Sequence, residues 1–175
     1  MPSGRSIAPL DFRTIAEIPY RLAQSAGGKT AVHFPPDTVL SYAELDGQAR
    51  RFAAFLKARG IRPGERVAIL LPNVPEFVAA YFGAIAAGTV AVPVNYRLSP
   101  PEVGYILSDC AVSAVLTTGE QFGKVSLLAE AGSVSLWVLT DSESENAVPF
   151  RDALEREAIP SLHPSSPDEV AVLLY

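Results

Sequence analysis

Residues 66–95 read RVAILLPNVPEFVAAYFGAIAAGTVAVPVN, which is the pattern of a strand, a helix and a second strand. Residues 67–71 form an uninterrupted apolar run, as expected for a strand buried on both faces of a parallel sheet. Pro72 ends this strand. Residues 90–94 form a second apolar strand rich in β-branched side chains. The whole stretch has the length of a right-handed βαβ unit, roughly 30 residues.

The helix inside this unit has recognisable signals at both ends. Asn73 is predicted to be the N-cap, because an asparagine side chain can accept a bond from a free backbone N–H of the first turn. Glu76, three residues later, fits a capping box and complements the positive end of the helix. Gly88 stands where a left-handed C-cap is wanted. The sequence therefore predicts a helix from Asn73 to Ala87.

Two further helix starts carry a capping box, in which a serine is followed three residues later by a glutamate. Ser41 with Glu44 begins one of these helices, and Ser99 with Glu102 begins the other. The remaining predicted elements are helices at residues 12–24, 118–132 and 150–157 and strands at residues 31–34, 38–40, 114–117 and 136–139.

Strands that alternate with capped helices predict an α/β fold with a doubly wound, mainly parallel sheet and helices on both faces. Residues 1–10 are expected to be a disordered leader, and residues 11–175 to form one subdomain. Residues 170–175 are predicted to be the last strand. This strand is purely apolar, as in the middle of a sheet, and no loop follows it. We therefore expect the chain to be a truncated part of a longer protein.

Composition excludes several classes of protein. The 175 residues are 49% hydrophobic and 19% charged, so one sizeable core is feasible. The formal net charge of −5 argues against a nucleic-acid surface, which needs clustered Lys and Arg. Residues 77–94 are uncharged, but their two glycines and one proline favour a buried helix and strand over a membrane span. A single cysteine and the lack of a secretory signal predict a cytoplasmic protein.

One short match to a nucleotide-binding motif is excluded by its surroundings. Gly28, Lys29 and Thr30 resemble the end of a phosphate-binding P-loop. That motif also needs a glycine at position 23, which is alanine, and it follows a strand rather than a helix. A flavodoxin or Rossmann domain is disfavoured too, because no G-x-G-x-x-G follows a predicted strand.

Four segments taken together resemble the amino-terminal part of the adenylate-forming superfamily, in particular the acyl-CoA synthetases. They are LSYAEL at residues 40–45, RVAILLPN at 66–73, GAIAAG at 83–88 and PVNYRL at 93–98. The resemblance extends from Lys29 to Tyr175. It implies that DEVAVLLY, residues 168–175, is the strand that leads into the phosphate-binding loop of these enzymes.

The resemblance implies a function for the parent protein. Such ligases use ATP and magnesium to convert a carboxylic acid into an acyl-adenylate, and they then transfer the acyl group to coenzyme A. The phosphate-binding loop, the adenine and ribose sites and the catalytic lysine would all follow Tyr175. We therefore expect the 175-residue chain alone to be inactive, without catalytic, cofactor-binding or metal-binding residues. Its expected partner is the remainder of the ligase.

Three aromatic residues are candidates for one wall of the acyl pocket. Phe77 and Tyr81 lie on the central helix, and Tyr96 follows the carboxyl end of the second strand, where ligands gather in α/β sheets. Aromatic residues on a buried helix also serve as plain core. His33 and His163 lack the spacing of metal ligands, and Cys110 is expected to be a small buried hydrophobe.

A second function remains open. A sheet left open at its last strand could act as a non-enzymatic interaction module, or form a homodimer through its exposed apolar surface.

Overall fold

The computed structural model describes residues 12–128 and 134–175. The expected disordered leader therefore lies outside the described residues. The helices are α1 (Glu17–Ala26), α2 (Tyr42–Ala58), α3 (Pro75–Ala86), α4 (Pro100–Asp109), α5 (Gly119–Val125) and α6 (Phe150–Leu154). The strands are β1 (Thr30–Phe34), β2 (Thr38–Ser41), β3 (Arg66–Leu70), β4 (Val90–Pro93), β5 (Val112–Thr117), β6 (Leu136–Leu139) and β7 (Val148–Pro149).

A five-stranded sheet has the order β4-β3-β5-β6-β7, and every neighbouring pair in it is parallel. The strand order reverses at β3, which lies between β4 and β5, as in a doubly wound sheet. Strands β1 and β2 form a separate antiparallel hairpin. The predicted fold class is confirmed.

Helices cover both faces of the sheet, and side chains alternate between two cores because successive strand residues point to opposite sides. We call the core below α2, α3 and α6 the first core; it includes Phe52, Val67, Ile69, Ala80 and Phe150. The core below α4 and α5 is the second core; it includes Ala68, Leu70, Val103, Leu107 and Val115. Strand β3 contributes to both, which explains its continuous apolar sequence.

The βαβ unit is present, but the N-cap of its helix lies one residue later than predicted. The N-cap is Val74, with extended backbone angles of φ −128° and ψ 159°, and no side chain caps the first turn. Pro75 explains the shift. A proline disfavours helical angles in the residue before it, and its own missing N–H costs nothing at the first helical position. The predicted cap at Asn73 was therefore wrong.

Both predicted capping boxes are confirmed. The backbone N–H of Ser41 donates to Glu44 Oε2 over 2.8 Å, and that of Ser99 donates to Glu102 Oε2 over the same distance. The other helices are shorter than predicted: α6 ends at Leu154, and α5 ends at Val125. The predicted end of α5 at Gly132 lies outside the described residues.

Residues 170–175 lie at the edge of the sheet and not in its middle. Ala171 and Leu173 each make one backbone hydrogen bond to Ala91 of β4, and a single bridge joins Val172 to Ala91. Leu174 and Tyr175 are exposed. Among the described residues, no strand pairs with the outer side of this segment. The expectation of a buried central strand was therefore wrong for this chain.

The charge-free stretch at residues 77–94 forms most of α3 and all of β4. Within the described part of the chain, no helix is both long enough and apolar enough to cross a membrane.

Candidate functional site

Ligand sites in parallel α/β sheets lie at the carboxyl edge, because the loops after the strands meet there. The loop after β4 is held by its own side chains. Asn95 Oδ1 accepts from the backbone N–H of Arg97 over 3.0 Å, and Gln121 Nε2 donates to the carbonyl of Tyr96 over 3.2 Å. The second bond links this loop to α5, whose Val125 belongs to the second core.

Tyr96 is half-buried beside the second core, and the exposed Arg97 lies next to it. Arg97 Nε donates to the phenol oxygen of Tyr96 over 3.3 Å, and the guanidinium carbon lies 5.7 Å from the centroid of the Tyr96 ring. The hydrogen bond from Arg97 therefore braces Tyr96. This contact supports a structural role for Arg97.

Phe77 and Tyr81 lie on α3 and pack against the first core. Burial raises the pKa of the Tyr81 phenol, so this group is neutral at physiological pH. Tyr96 is on the other side of the sheet, beside the second core. The structure therefore groups Phe77 with Tyr81 and separates both from Tyr96. Whether any of the three contacts a substrate stays a prediction.

An open groove of about 540 Å³ lies where residues 170–175 end. Its lining includes Asn95, Leu98, Glu102, Tyr105 and Tyr175. The phenol of Tyr175 donates to Asp109 Oδ2 over 2.7 Å, and this hydrogen bond raises the pKa of Tyr175. The chain thus reaches the carboxyl edge of the sheet beside α4, with its last residue tied to the end of that helix.

The described residues contain no group of three His, Cys, Asp or Glu side chains that could hold a metal ion. Cys110 is buried, and its thiol donates to the carbonyl of Ile106 over 3.0 Å. Burial raises the pKa of this thiol, so the neutral form dominates. Cys110 therefore behaves as a small buried hydrophobe, as predicted from the sequence.

The role of Arg50 was not predicted from the sequence, because Arg50, Arg51, Lys57 and Arg59 together have the pattern of a solvated helix face. Its Nη2 lies 2.9 Å from Oδ2 of the buried Asp46, and its Nη1 donates to the carbonyl of Ile159 over 2.9 Å. The four-residue spacing of Asp46 and Arg50 was a usable signal for the first contact. The contact with Ile159 joins residues more than a hundred positions apart, and no sequence pattern predicts it.

Comparison with known families gives one match that covers most of the chain: residues 20–175 match the family described as AMP-binding enzyme. Long-chain-fatty-acid–CoA ligase FadD13 of Mycobacterium tuberculosis is 42% identical over 114 residues, which are 62% of this chain and 22% of that protein. Indoleacetate–CoA ligase of Aromatoleum aromaticum is 31% identical over 150 residues, which are 85% of this chain and 29% of that protein.

A solved benzoate CoA ligase from Burkholderia xenovorans superimposes with a TM-score of 0.81 at 27% identity. The superposition covers 91% of this chain and 32% of the solved chain. The chain thus spans between a fifth and a third of the length of these three proteins. Because the family match extends over nearly the whole chain, and the sheet and helices superimpose as well, the chain belongs to the AMP-binding enzyme family.

Proposed function

We propose that this chain is the amino-terminal part of an ATP-dependent acyl-CoA or aryl-CoA ligase. The observation that carries the proposal is the family match over residues 20–175, together with relatives that are CoA ligases several times longer. In the proposed reaction a carboxylate attacks ATP, diphosphate leaves and an acyl-adenylate forms. The thiol of coenzyme A then attacks the acyl carbonyl, and AMP leaves. The parent enzyme would use ATP, Mg²⁺ and coenzyme A.

The role we assign to residues 11–175 is that of a single scaffold subdomain. Phe77 and Tyr81 stand close together on one helix and are half-buried, so they suit one wall of an acyl pocket. Tyr96, at the carboxyl edge of β4, suits a separate contact, because it lies on the other side of the sheet. The names of the relatives include both fatty and aromatic acids. We therefore assign only the class that they share, a carboxylic acid, as the substrate of the parent enzyme.

We propose further that the 175-residue chain does not form an acyl-adenylate by itself. Phosphoryl chemistry depends on groups that position the phosphates and neutralise their charge. By the family resemblance, the Ser/Thr/Gly-rich loop and the catalytic lysine that provide these groups follow the position of Tyr175.

The test measures adenylate formation by trapping the activated acyl group with hydroxylamine, using a panel of fatty and aromatic acids. We expect no product from the 175-residue chain and clear turnover from a longer product of the same gene. Adenylate formation by the short chain would refute its inactivity. A longer product that activates no carboxylic acid would refute the ligase assignment.

A second function is favoured by the open edge of the sheet. Tyr105 and Tyr175 are exposed and line one groove, and aromatic residues are enriched in protein interfaces. The chain would then bind a partner or form a homodimer through this surface. Sedimentation over a wide concentration range distinguishes the two functions: a concentration-dependent dimer supports the interaction module, and a monomer throughout contradicts self-association.

A further inference from the structure

Residues 155–169 connect α6 to the edge of the sheet, and we call this segment the strap. It contains no helix or strand. Connections of this length without secondary structure, above about 12–15 residues, are uncommon in compact domains and usually have a function. The strap is nevertheless held at two points, and each point involves a different helix.

Arg50 of α2 makes the first anchor. Its guanidinium donates to the carbonyl of Ile159 over 2.9 Å, and the backbone N–H of Ile159 donates back to the carbonyl of Arg50 over 3.3 Å. Asp46, which is 5% exposed, accepts from Arg50 Nε over 2.9 Å and holds the guanidinium in place. The ring of Tyr20 on α1 lies 5.8 Å from the same group. Arg50 therefore joins α1, α2 and the strap.

The second anchor is at the end of α3. The backbone N–H of His163 donates to the carbonyl of Ala86 over 2.9 Å. The imidazole of His163 lies against the α-carbon of Gly88, in space that a β-carbon would occupy. Only glycine leaves this notch open, and Gly88 also has a φ of +82°, which disfavours other residues.

These anchors matter because the segment after the strap is weakly paired. Residues 170–175 are joined to the sheet by two backbone hydrogen bonds, both to Ala91. Val170 and Leu174 are 61% and 78% exposed, so their burial adds little. Tyr175 adds one exposed side-chain bond to Asp109. The two anchors leave only the residues between His163 and Ala171 free to vary in path, which lowers the entropic cost of this pairing.

We propose that Arg50 and the Gly88 notch are positioning elements for whatever follows Tyr175. They fix the register of residues 170–175 against β4 by holding the strap. The inference rests on the proposed function in one respect: by that function the phosphate-binding loop comes directly after Tyr175. In the ligase, Arg50 then acts on ATP binding through the strap and touches neither ATP nor the carboxylate.

The first test uses hydrogen exchange of the 175-residue chain, observed at the amides of Ala91 and Leu173. Arg50→Met keeps the aliphatic stem and removes the donors, and we expect it to abolish protection of these two amides while β3 and β5 stay protected. Arg51→Met is the matched control, because no hydrogen bond or ion pair of the described residues involves that guanidinium. It should leave protection unchanged.

His163→Ala removes the imidazole contact of the second anchor, keeps its backbone hydrogen bond to Ala86 and leaves α2 unchanged. We expect it to lower the protection of the same two amides, so it provides a second test if Arg50→Met fails to fold. Unchanged protection of Leu173 in a folded anchor variant would overturn the inference. This outcome is independent of ligase activity, so it is distinct from a failure of the proposed function.

The second test uses the longer gene product and separates positioning from general damage. We expect Arg50→Met to raise KM for ATP about tenfold, the scale of one charge-assisted hydrogen bond, and to change KM for the carboxylate little. Equal increases in both constants would overturn the positioning role. A longer product without ligase activity would overturn the proposed function, and with it the link to the phosphate-binding loop.

Discussion

The imidazole of His163 packs directly on the α-carbon of Gly88, so that a β-carbon at this position would overlap the ring and lie 3.0 Å from Nε2. Gly88 lies in the loop between α3 and β4, while His163 belongs to a segment far along the chain. The contact therefore joins the central βαβ unit to the strap. An alanine at Gly88 would therefore destabilise the protein in two ways, through the clash of its methyl group with His163 and through the left-handed backbone. Comparison with a second glycine separates these two contributions.

Gly64→Ala measures the backbone cost alone, because Gly64 has a φ of +81° and open space around the missing side chain. We expect it to lower the free energy of unfolding by about 1 kcal/mol, the usual cost of a left-handed residue. Gly88→Ala should cost about 1–3 kcal/mol more, because the methyl group also clashes. Urea denaturation of both variants measures the difference. In a His163→Ala background that difference should vanish, and a persistent difference would contradict the contact.

A second glycine sets the spacing of two helices. A β-carbon at Gly83 on α3 would lie 2.7 Å from the carbonyl oxygen of Ala49 and 3.0 Å from Cβ of Phe52. Gly83→Ala should therefore destabilise the protein by about 2 kcal/mol, because neither backbone nor core can move aside cheaply. At Gly47, also in a helix, the nearest atom is the flexible end of Arg51 at 3.3 Å. Gly47→Ala should instead stabilise by about 0.5 kcal/mol, and the two denaturation midpoints should move in opposite directions.

The two cap sites on α2 and α3 should respond differently to truncation. Ser41 accepts from the backbone N–H of Glu44 over 3.3 Å, so Ser41→Ala should cost about 1 kcal/mol. Asn73 is exposed and does not cap α3, so Asn73→Ala should leave the unfolding free energy nearly unchanged. Thermal denaturation compares the two. Equal losses would show that Asn73 caps the helix in solution, as the sequence alone predicts.

Acid should weaken both capping boxes. The backbone N–H of Ser41 and then its hydroxyl lower the pKa of Glu44, and the hydroxyl of Ser99 and then its N–H lower that of Glu102. A folded pKa below the unfolded value stabilises the protein above the ordinary pKa of 4.5, and this contribution is lost as the pH falls below it. The free energy of unfolding should therefore fall as the pH is lowered. It should fall less steeply in the double variant that carries Glu44→Gln and Glu102→Gln.

The measurement is the unfolding free energy between neutral pH and pH 3, compared across the variants. Glu157→Gln is the control, because Glu157 is exposed and makes no hydrogen bond among the described residues. It should follow the wild-type curve. Identical acid slopes for the wild type and the double variant would contradict the role of the two carboxylates.

Cys110 should report unfolding. It is 8% exposed, and burial raises the pKa of its thiol, so little reactive thiolate is available. We expect iodoacetamide at pH 8 to label the native protein slowly and the urea-unfolded protein rapidly. Mass spectrometry follows the reaction. Rapid stoichiometric labelling without urea would show that α4 does not cover the thiol.

Much of the fold was predictable from local sequence patterns. Ser41, Glu44, Ser99 and Glu102 act within one helical turn, so their spacing predicted two helix starts correctly. The continuous apolar run of β3 likewise predicted a strand covered on both faces. The start of α3 was predicted wrongly because two local signals competed, and the steric restriction imposed by Pro75 outweighed the capping tendency of Asn73.

The sequence by itself determined the class of the fold, the principal helices and strands, and the resemblance that the family match confirmed. These features depend on interactions between residues that are near each other or repeat along the chain. Only the tertiary structure decided that Tyr96 lies on the opposite face from Tyr81, that residues 170–175 form an edge, and that Arg50 holds Ile159. Such contacts join distant segments, and their geometry exists only once the sheet has assembled.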